Sequence, residues 1–250
     1  MARQAETVAD VIDDLTGIVD WSKNHGSPLG YFAALYRKVT IEVKRGIDDG
    51  RFDDGPRMER LDVLFARRYL DAFASFRDGG RPSRSWVFAF DVTEQWWPIV
   101  LQHLLLGMNA HINLDLGIAA ARTVPPEQLP DLRGDFDEIN EVLASLVGGV
   151  QEELAQVWPA LRPLNRYLSR TQGVLINFSM EKARDHAWEV AERLAPLGMS
   201  EQSSTIERLD GDVVDLAHLI RHPGIVAGTV TKLVRLGERG SVRRIIDVLE

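Results

Sequence analysis

The sequence predicts an all-α fold, a single-domain helical bundle around a long, buried central helix. Three observations support this prediction. Apolar residues recur at steps of three and four over most of the 250 residues. Few segments alternate with period two, as strands would. One stretch, at about residues 94–123, is apolar on nearly every side and must therefore be surrounded by other helices.

Turn signals divide the remaining chain into shorter predicted helices. The first covers residues 7–20, the second runs from Pro28 toward Gly46, and the third covers residues 61–76 before Asp78-Gly79-Gly80. Residues 86–90 fit a short strand or a helical turn equally well. Further helices are predicted to start at Asp135 and near residue 174. We expect one domain over residues 1–250, with 1–195 as the main bundle and 196–250 as a C-terminal helical extension.

The central helix is bounded by Thr93, a suitable N-cap, and by Pro125-Pro126. Pro98 fits this helix only in or near its first turn. His111 and Asp115 lie near the middle of the apolar stretch and argue against stable membrane insertion.

The charge and composition limit the classes of partner and of metal ligand. The net charge is −8 and the pI is about 5.3, which argues against a general affinity for nucleic acid or for anionic membranes. The chain has no cysteine, so any metal must be held by histidine and carboxylate. The acidic N-terminus lacks the pattern of a secretory signal, and we expect a cytoplasmic protein. The sequence does not determine the oligomeric state, and a homo-oligomer is compatible with it.

The polar residues of the central helix fall into two sectors. His103, Gly107, His111 and Asp115 share one sector of roughly 120°, and Gly107 leaves room there for a ligand or a facing helix. The other sector contains amides that we expect to bond neighbouring helices, at Gln102, Asn109 and Asn113.

His111 and Asp115 are one helical turn apart and form the candidate centre of a site. They could share a divalent metal ion, or Asp115 could orient His111 as a base. A buried His–Asp hydrogen bond that only braces the bundle is the structural alternative.

Other helices must supply the remaining groups of such a site. Asp135 and Asn140 border the apolar face of their helix, so Asp135 is the candidate third metal ligand and Asn140 a candidate substrate contact. Plain N-capping is the alternative role for Asp135. Arg184 could neutralise Asp115 or Asp135, or hold an anionic substrate group. Trp188 and His103 complete the candidate substrate contacts.

Several segments resemble a bacterial, largely helical family catalogued as a domain of unknown function. The matching pieces are YFAALYRKVT, LDVLFARRYLDA, LLLGMNAHINLDL, DFDEIN and ARDHAW. They cover most of the chain up to about residue 195, and MNAHIN-x-DL is the specific one. The resemblance implies a helical unit but no reaction, and it groups His111, Asp115, Asp135, Asn140, Arg184 and Trp188 as one constellation.

A looser similarity links Gly107, His111 and Asp115 to the metal-binding helix of the zinc-dependent phospholipase C group. This chain lacks that group's many further histidines and its N-terminal tryptophan ligand. The similarity therefore implies at most one metal ion rather than a trinuclear site.

Three functional hypotheses stay open at this point. The leading one is an enzyme acting on a small molecule, with His111, Asp115 and Asp135 binding zinc, manganese or iron for hydrolysis. The second is a metal-free cyclase, isomerase or lyase in which Asp115 orients His111 and Arg184 stabilises negative charge. The third is a non-catalytic module that binds an apolar ligand or a protein through aromatic residues, with candidates at Tyr31, Tyr36, Trp86, Trp96 and Trp97.

Overall fold

The computed structural model describes residues 4–139, 180–224, 229, 231–232, 235 and 240–250. Within these ranges every regular element is a helix, which confirms the all-α prediction. Asn140 and most of the helix predicted to start at Asp135 lie outside the described residues, as does the start of the helix predicted near residue 174.

The helices are numbered in chain order. They are α1 (Val8–His25), α2 (Gly30–Asp48), α3 (Gly55–Arg77), α4 (Arg84–Asp91), α5 (Val100–Thr123), α6 (Met180–Leu194), α7 (Met199–Arg221) and α8 (Val242–Leu249). Short 3₁₀ segments, Val92–Glu94 and Pro126–Leu132, flank α5, and a further helix starts at residue 133. The ambiguous residues 86–90 are helical and belong to α4.

The start of the central helix differs from the prediction. Thr93 is not its N-cap, because the Thr93 hydroxyl donates to the Phe90 carbonyl in the preceding turn. The helix begins only at Val100, after Pro98, which restricts the residue before it to extended backbone. The Gln102 side chain accepts a hydrogen bond from the Ile99 amide at 3.2 Å and so caps the first turn.

Helix α5 passes through two clusters of buried apolar residues. Its first half packs against α2, α4 and α7, and its second half packs against α3 and α6. The boundary between the clusters falls at a π-helical turn, His111–Leu116, where the backbone bonds from i to i+5. By length and composition α5 could cross a membrane, but 94% of its apolar window is buried inside the protein.

Gln102 and Asn109 connect α5 to α7, as predicted, whereas the Asn113 amide forms its bond within α5. Gln102 Nε2 donates to the carbonyls of Ile220 and Arg221 at 2.9 and 3.2 Å, near the end of α7. Asn109 Nδ2 donates to the Val213 carbonyl at 2.8 Å, and Asn113 donates to Asn109 at 2.9 Å. These bonds, together with the packing of α8 on α1 and α2, bring the C-terminal helices onto the first 123 residues.

Gly107 allows α2 to approach α5 closely. A Cβ atom at this position would lie 2.5 Å from the Phe32 ring and 3.0 Å from the Phe32 Cβ. Gly107 therefore accommodates a facing helix, one of the two roles predicted for it.

We predict that Gly107→Ala lowers the free energy of unfolding by about 1–3 kcal/mol, because the Phe32 ring must move within a packed core. The matched control is Gly17→Ala, at an exposed position of α1 with no atom within 4 Å of the added carbon. That change should raise stability by about 0.5–1 kcal/mol through helix propensity. Urea denaturation of the three proteins measures both effects, and equal stability of the two variants would contradict the close approach.

Candidate functional site

The buried carboxylate of Asp115 connects three helices. Arg68 Nε on α3 donates to Asp115 Oδ1 at 2.6 Å, and Trp86 Nε1 on α4 donates to Oδ2 at 2.7 Å. His111 Nδ1, one turn earlier on α5, lies 3.5 Å from Oδ2. The Asp115 side chain is fully buried. The His111–Asp115 pair predicted from the sequence is therefore present, with two partners that the sequence did not reveal.

Asp115 is ionised despite its burial. Burial alone raises the pKa of a carboxyl group. The positive charge of Arg68 and the hydrogen bonds from His111 and Trp86 outweigh that effect and lower the pKa of Asp115. The site therefore holds a fixed negative charge next to His111.

His111 is neutral, with an available ring nitrogen. Burial lowers the pKa of His111, and the nearby Asp115 offsets this only in part. Because ionised Asp115 can only accept, Nδ1 carries the proton and donates to Asp115. Nε2 is then an acceptor, and it is buried without a hydrogen-bond partner in the described part of the chain.

Aromatic rings enclose the imidazole of His111. Phe65 stacks on it with centroids 3.6 Å apart and planes 8° apart, and Tyr36 meets it edge-on at 4.4 Å. Phe32, Trp86 and Tyr69 complete the enclosure at centroid distances between 5.6 and 6.2 Å. Phe65 is only partly buried, so it forms the outer wall.

Two further buried polar atoms near this enclosure lack partners within the described residues, the Tyr69 hydroxyl and one carboxyl oxygen of Asp62. The Tyr36 hydroxyl is also buried there, and the Thr40 side chain is its hydrogen-bonding neighbour. Buried polar atoms without partners are rare, because each loses its hydrogen bonds to water. We call Tyr36, Asp62, Tyr69, His111 and Asp115 the His111 cluster.

Asp62, Tyr36 and Tyr69 differ from the ionised Asp115, because burial raises the pKa of each of these three groups. Burial raises the pKa of Asp62 to about 7, with a smaller contribution from Glu59. Burial also raises the pKa of both phenols, and the charges of Asp62 and Asp115 add to this at Tyr36. The two tyrosine hydroxyls therefore keep their protons at neutral pH, and Asp62 titrates near neutral pH.

A small pocket adjoins the aromatic enclosure. It is lined by His103, Gly107, Thr93 and apolar residues, and it shares Phe32, Tyr69 and Trp86 with the enclosure. The volume open to the centre of a water-sized molecule is about 20 Å³, enough for one water. His103 Nδ1 is buried there without a partner among the described residues, and burial lowers the pKa of His103 to about 3. His103 thus borders the site and lies outside the His111 cluster.

Asp135 does not join His111 and Asp115. Its carboxylate accepts from the backbone amides of Asp53 and Asp54 at 2.6 and 3.3 Å, and from Arg57 Nη2 at 2.6 Å. It therefore stabilises the N-terminal end of α3, rather than the start of its own helix. Arg57 and Arg68, which bind Asp135 and Asp115, are eleven residues and about 16 Å apart along the axis of α3.

Arg184 and Trp188 belong to a different contact from the one predicted. Arg68 neutralises Asp115 and Arg57 neutralises Asp135, so neither acid pairs with Arg184. The buried Arg184 guanidinium donates to the Phe136 carbonyl and lies 4.5 Å from the Phe136 ring. Trp188 packs edge-on against the same ring and donates to Glu192 at 2.8 Å. Burial lowers the pKa of Arg184 to about 10.

The residues around His111 do not fit a divalent metal. Both Asp115 oxygens already accept hydrogen bonds, and the Arg68 cation that borders them would repel a metal ion. In the described part of the chain no group of three or more histidine or acidic side chains is arranged to hold a metal.

Sequence reasoning missed Asp62, Arg68 and Tyr69. A signal was present, because Asp62, Phe65 and Tyr69 recur at steps of three and four and share the inner face of α3. An aspartate on an otherwise apolar helical face indicates a buried polar site. Tyr36 and Trp86 were predicted only as possible pocket aromatics.

The comparisons with known proteins identify one family, whose function is unknown. The model described as "Family of unknown function (DUF5995)" matches residues 8–223, which include every member of the His111 cluster. No curated protein and no solved structure matches the chain.

We predict that Asp62→Asn changes how stability depends on pH. The folded state holds the Asp62 proton up to about pH 7, whereas the unfolded chain releases it near 3.8. Native protein thus binds more protons between these values, and wild-type stability falls as the pH rises through this window. Between pH 4 and pH 8 the free energy of unfolding of the wild type should fall by up to about 4 kcal/mol relative to that of Asp62→Asn.

Urea denaturation of both proteins across that pH range measures the difference. The control Asp71→Asn removes an exposed carboxylate from the same helix and corrects for the loss of one charge. If the difference in free energy of unfolding between the wild type and Asp62→Asn does not change with pH, the pKa of Asp62 is not raised by burial.

Proposed function

The chain belongs to the family of unknown function DUF5995, and from the geometry of the His111 cluster we propose that it is a metal-free acid–base enzyme acting on a small molecule. The reaction class is that of an isomerase, cyclase or lyase. The observation that carries the proposal is the unpartnered Nε2 of a neutral, buried His111 whose Nδ1 faces an ionised carboxylate.

His111 acts as the general base. Its Nε2 accepts a proton from the substrate, and the imidazolium that forms is stabilised by the adjacent Asp115 charge. Asp115 also fixes the tautomer, because an ionised carboxylate accepts only from Nδ1–H. Arg68 and Trp86 hold that carboxylate in place from two other helices and keep it ionised. They are positioning residues.

Asp62, Tyr36 and Tyr69 supply the proton or hydrogen bonds that match the proton removed by His111. Protonated Asp62 and the hydroxyls of Tyr36 and Tyr69 can donate hydrogen bonds to negative charge that develops on the substrate. In an isomerase or cyclase, a proton taken by His111 at one atom is matched by a proton given by this group at another. In a lyase the same donor protonates the leaving group.

The enclosure supports an uncharged, largely apolar substrate. Its walls are the rings of Phe32, Phe65 and Trp86, and burial of a net charge among them would carry a large desolvation cost. Phe65 covers the imidazole face and is partly exposed, so rotation of its side chain would uncover that face. A flat ring could then replace Phe65 against the imidazole.

We predict that His111→Asn and Asp115→Asn each reduce turnover by roughly 10²–10⁴-fold, because one lacks the base and the other lacks the charge that orients it. A mixture of small uncharged metabolites is incubated with the protein in deuterated water. Mass spectrometry then detects the compounds that gain deuterium or change in amount, so the substrate is found by the same measurement that compares the variants.

The matched control is Asp137→Asn. Its half-buried carboxylate pairs with Arg133 at 2.7 Å and contacts no member of the His111 cluster among the described hydrogen bonds and ion pairs. This variant should behave as the wild type. If folded His111→Asn converts or exchanges the same compounds at the wild-type rate, or if a metal chelator abolishes turnover, the proposed function is wrong.

A further inference from the structure

An exposed pair of tryptophans precedes the central helix. Trp96 and Trp97 are 56% and 51% exposed, and their rings meet edge-on at 4.8 Å. The described residues contain only two other large hydrophobic side chains as exposed as these, Met199 and Leu219. Adjacent tryptophans in solvent leave a large apolar area uncovered.

Cationic side chains border the tryptophan pair. The Arg235 guanidinium lies 5.2 Å from the Trp96 ring and donates through Nε to the Trp96 carbonyl at 2.6 Å. Lys232 Nζ lies 5.9 Å from the Trp97 ring. Arg221 donates to the Gln95 side chain at 2.6 and 3.0 Å, immediately before the pair.

The surrounding sequence has a charge opposite to that of the whole chain. Residues 221–244 contain six Lys or Arg residues and one Glu, whereas the complete chain carries a net charge of −8. The basic segment contributes Arg221, Lys232 and Arg235 to the tryptophan pair. The location of the positive charge therefore coincides with the exposed apolar area.

We propose that Trp96 and Trp97, with Arg221, Lys232 and Arg235, form a surface that binds peripherally to anionic lipid membranes. Tryptophan rings favour the boundary between lipid headgroups and acyl chains. Lysine and arginine next to them bind the phosphate groups of anionic lipids. Helix α5 stays in the protein core, so the contact is superficial and no helix inserts.

The test uses the full-length protein and vesicles of phosphatidylcholine with or without phosphatidylglycerol. Wild-type protein should co-sediment with the phosphatidylglycerol vesicles, lose this binding at high salt, and show tryptophan quenching by brominated lipid. Trp96→Ala/Trp97→Ala should abolish quenching and most binding. Lys232→Gln/Arg235→Gln should weaken vesicle binding roughly thirtyfold. Each basic residue near an anionic membrane contributes about 1 kcal/mol, and about 1.4 kcal/mol corresponds to a tenfold change in affinity.

Met199→Ala is the matched control. Met199 is 89% exposed but lies at the opposite end of α7 from Arg221, about 33 Å away along the helix axis. It should bind vesicles as the wild type does. The proposal is overturned by no binding, by equal binding to neutral vesicles, or by unchanged binding of the folded tryptophan variant. It is also overturned if the tryptophan variant converts a stable dimer to a monomer, because the surface would then join two copies of the chain.

Discussion

The ionised carboxylate of Asp115 is the interaction on which the centre of this protein depends. A buried negative charge is stable only when its hydrogen-bonding capacity is met and a positive charge lies near. Arg68 and Trp86 provide both conditions from α3 and α4, while His111 faces the same carboxylate from α5. The three helices are thus held by one side chain, and the charge that holds them also determines the tautomer of His111.

The two polar sides of the central helix have different roles, since one bonds a neighbouring helix and the other carries the His111–Asp115 pair. On one side, Gln102 and Asn109 bond carbonyl groups of α7 and fix the position of α5. On the other side, Gly107 admits the Phe32 ring, and the π-helical turn follows one helical turn later. π-Helical turns inside α-helices are frequent at functional sites. Here the turn carries both His111 and Asp115 and lies where the two apolar clusters meet.

The fold was predictable from the sequence because helical periodicity is local information. The periods of α1, α2 and α3 and the apolar stretch of α5 were sufficient for the fold class. The start of α5 was misplaced by several residues, because Thr93 has the chemistry of an N-cap but Pro98 prevents helix from continuing back to it. Gln102 has two roles, because it caps the first turn of α5 and also bonds α7. Residue spacing alone could not predict the capping role.

The site was predictable only where its residues share a helix. His111 and Asp115 are one turn apart, so spacing predicted their contact. The choice of counter-ion depends on tertiary packing, and among 29 Lys and Arg residues no local rule selects Arg68 over Arg184. Asp135 was wrongly placed in the constellation for the same reason, since its partners lie about eighty residues earlier at the start of α3.

Nitrogen-15 NMR of histidine-labelled protein, with His111→Asn to assign the signals, tests the central claim most directly. We expect His111 to be neutral at pH 7, with the proton on Nδ1 and Nε2 unprotonated, and to titrate with a pKa below its usual value of 6.5. An imidazolium at neutral pH, or a neutral ring protonated at Nε2, would contradict the assignment of His111 as a base oriented by Asp115.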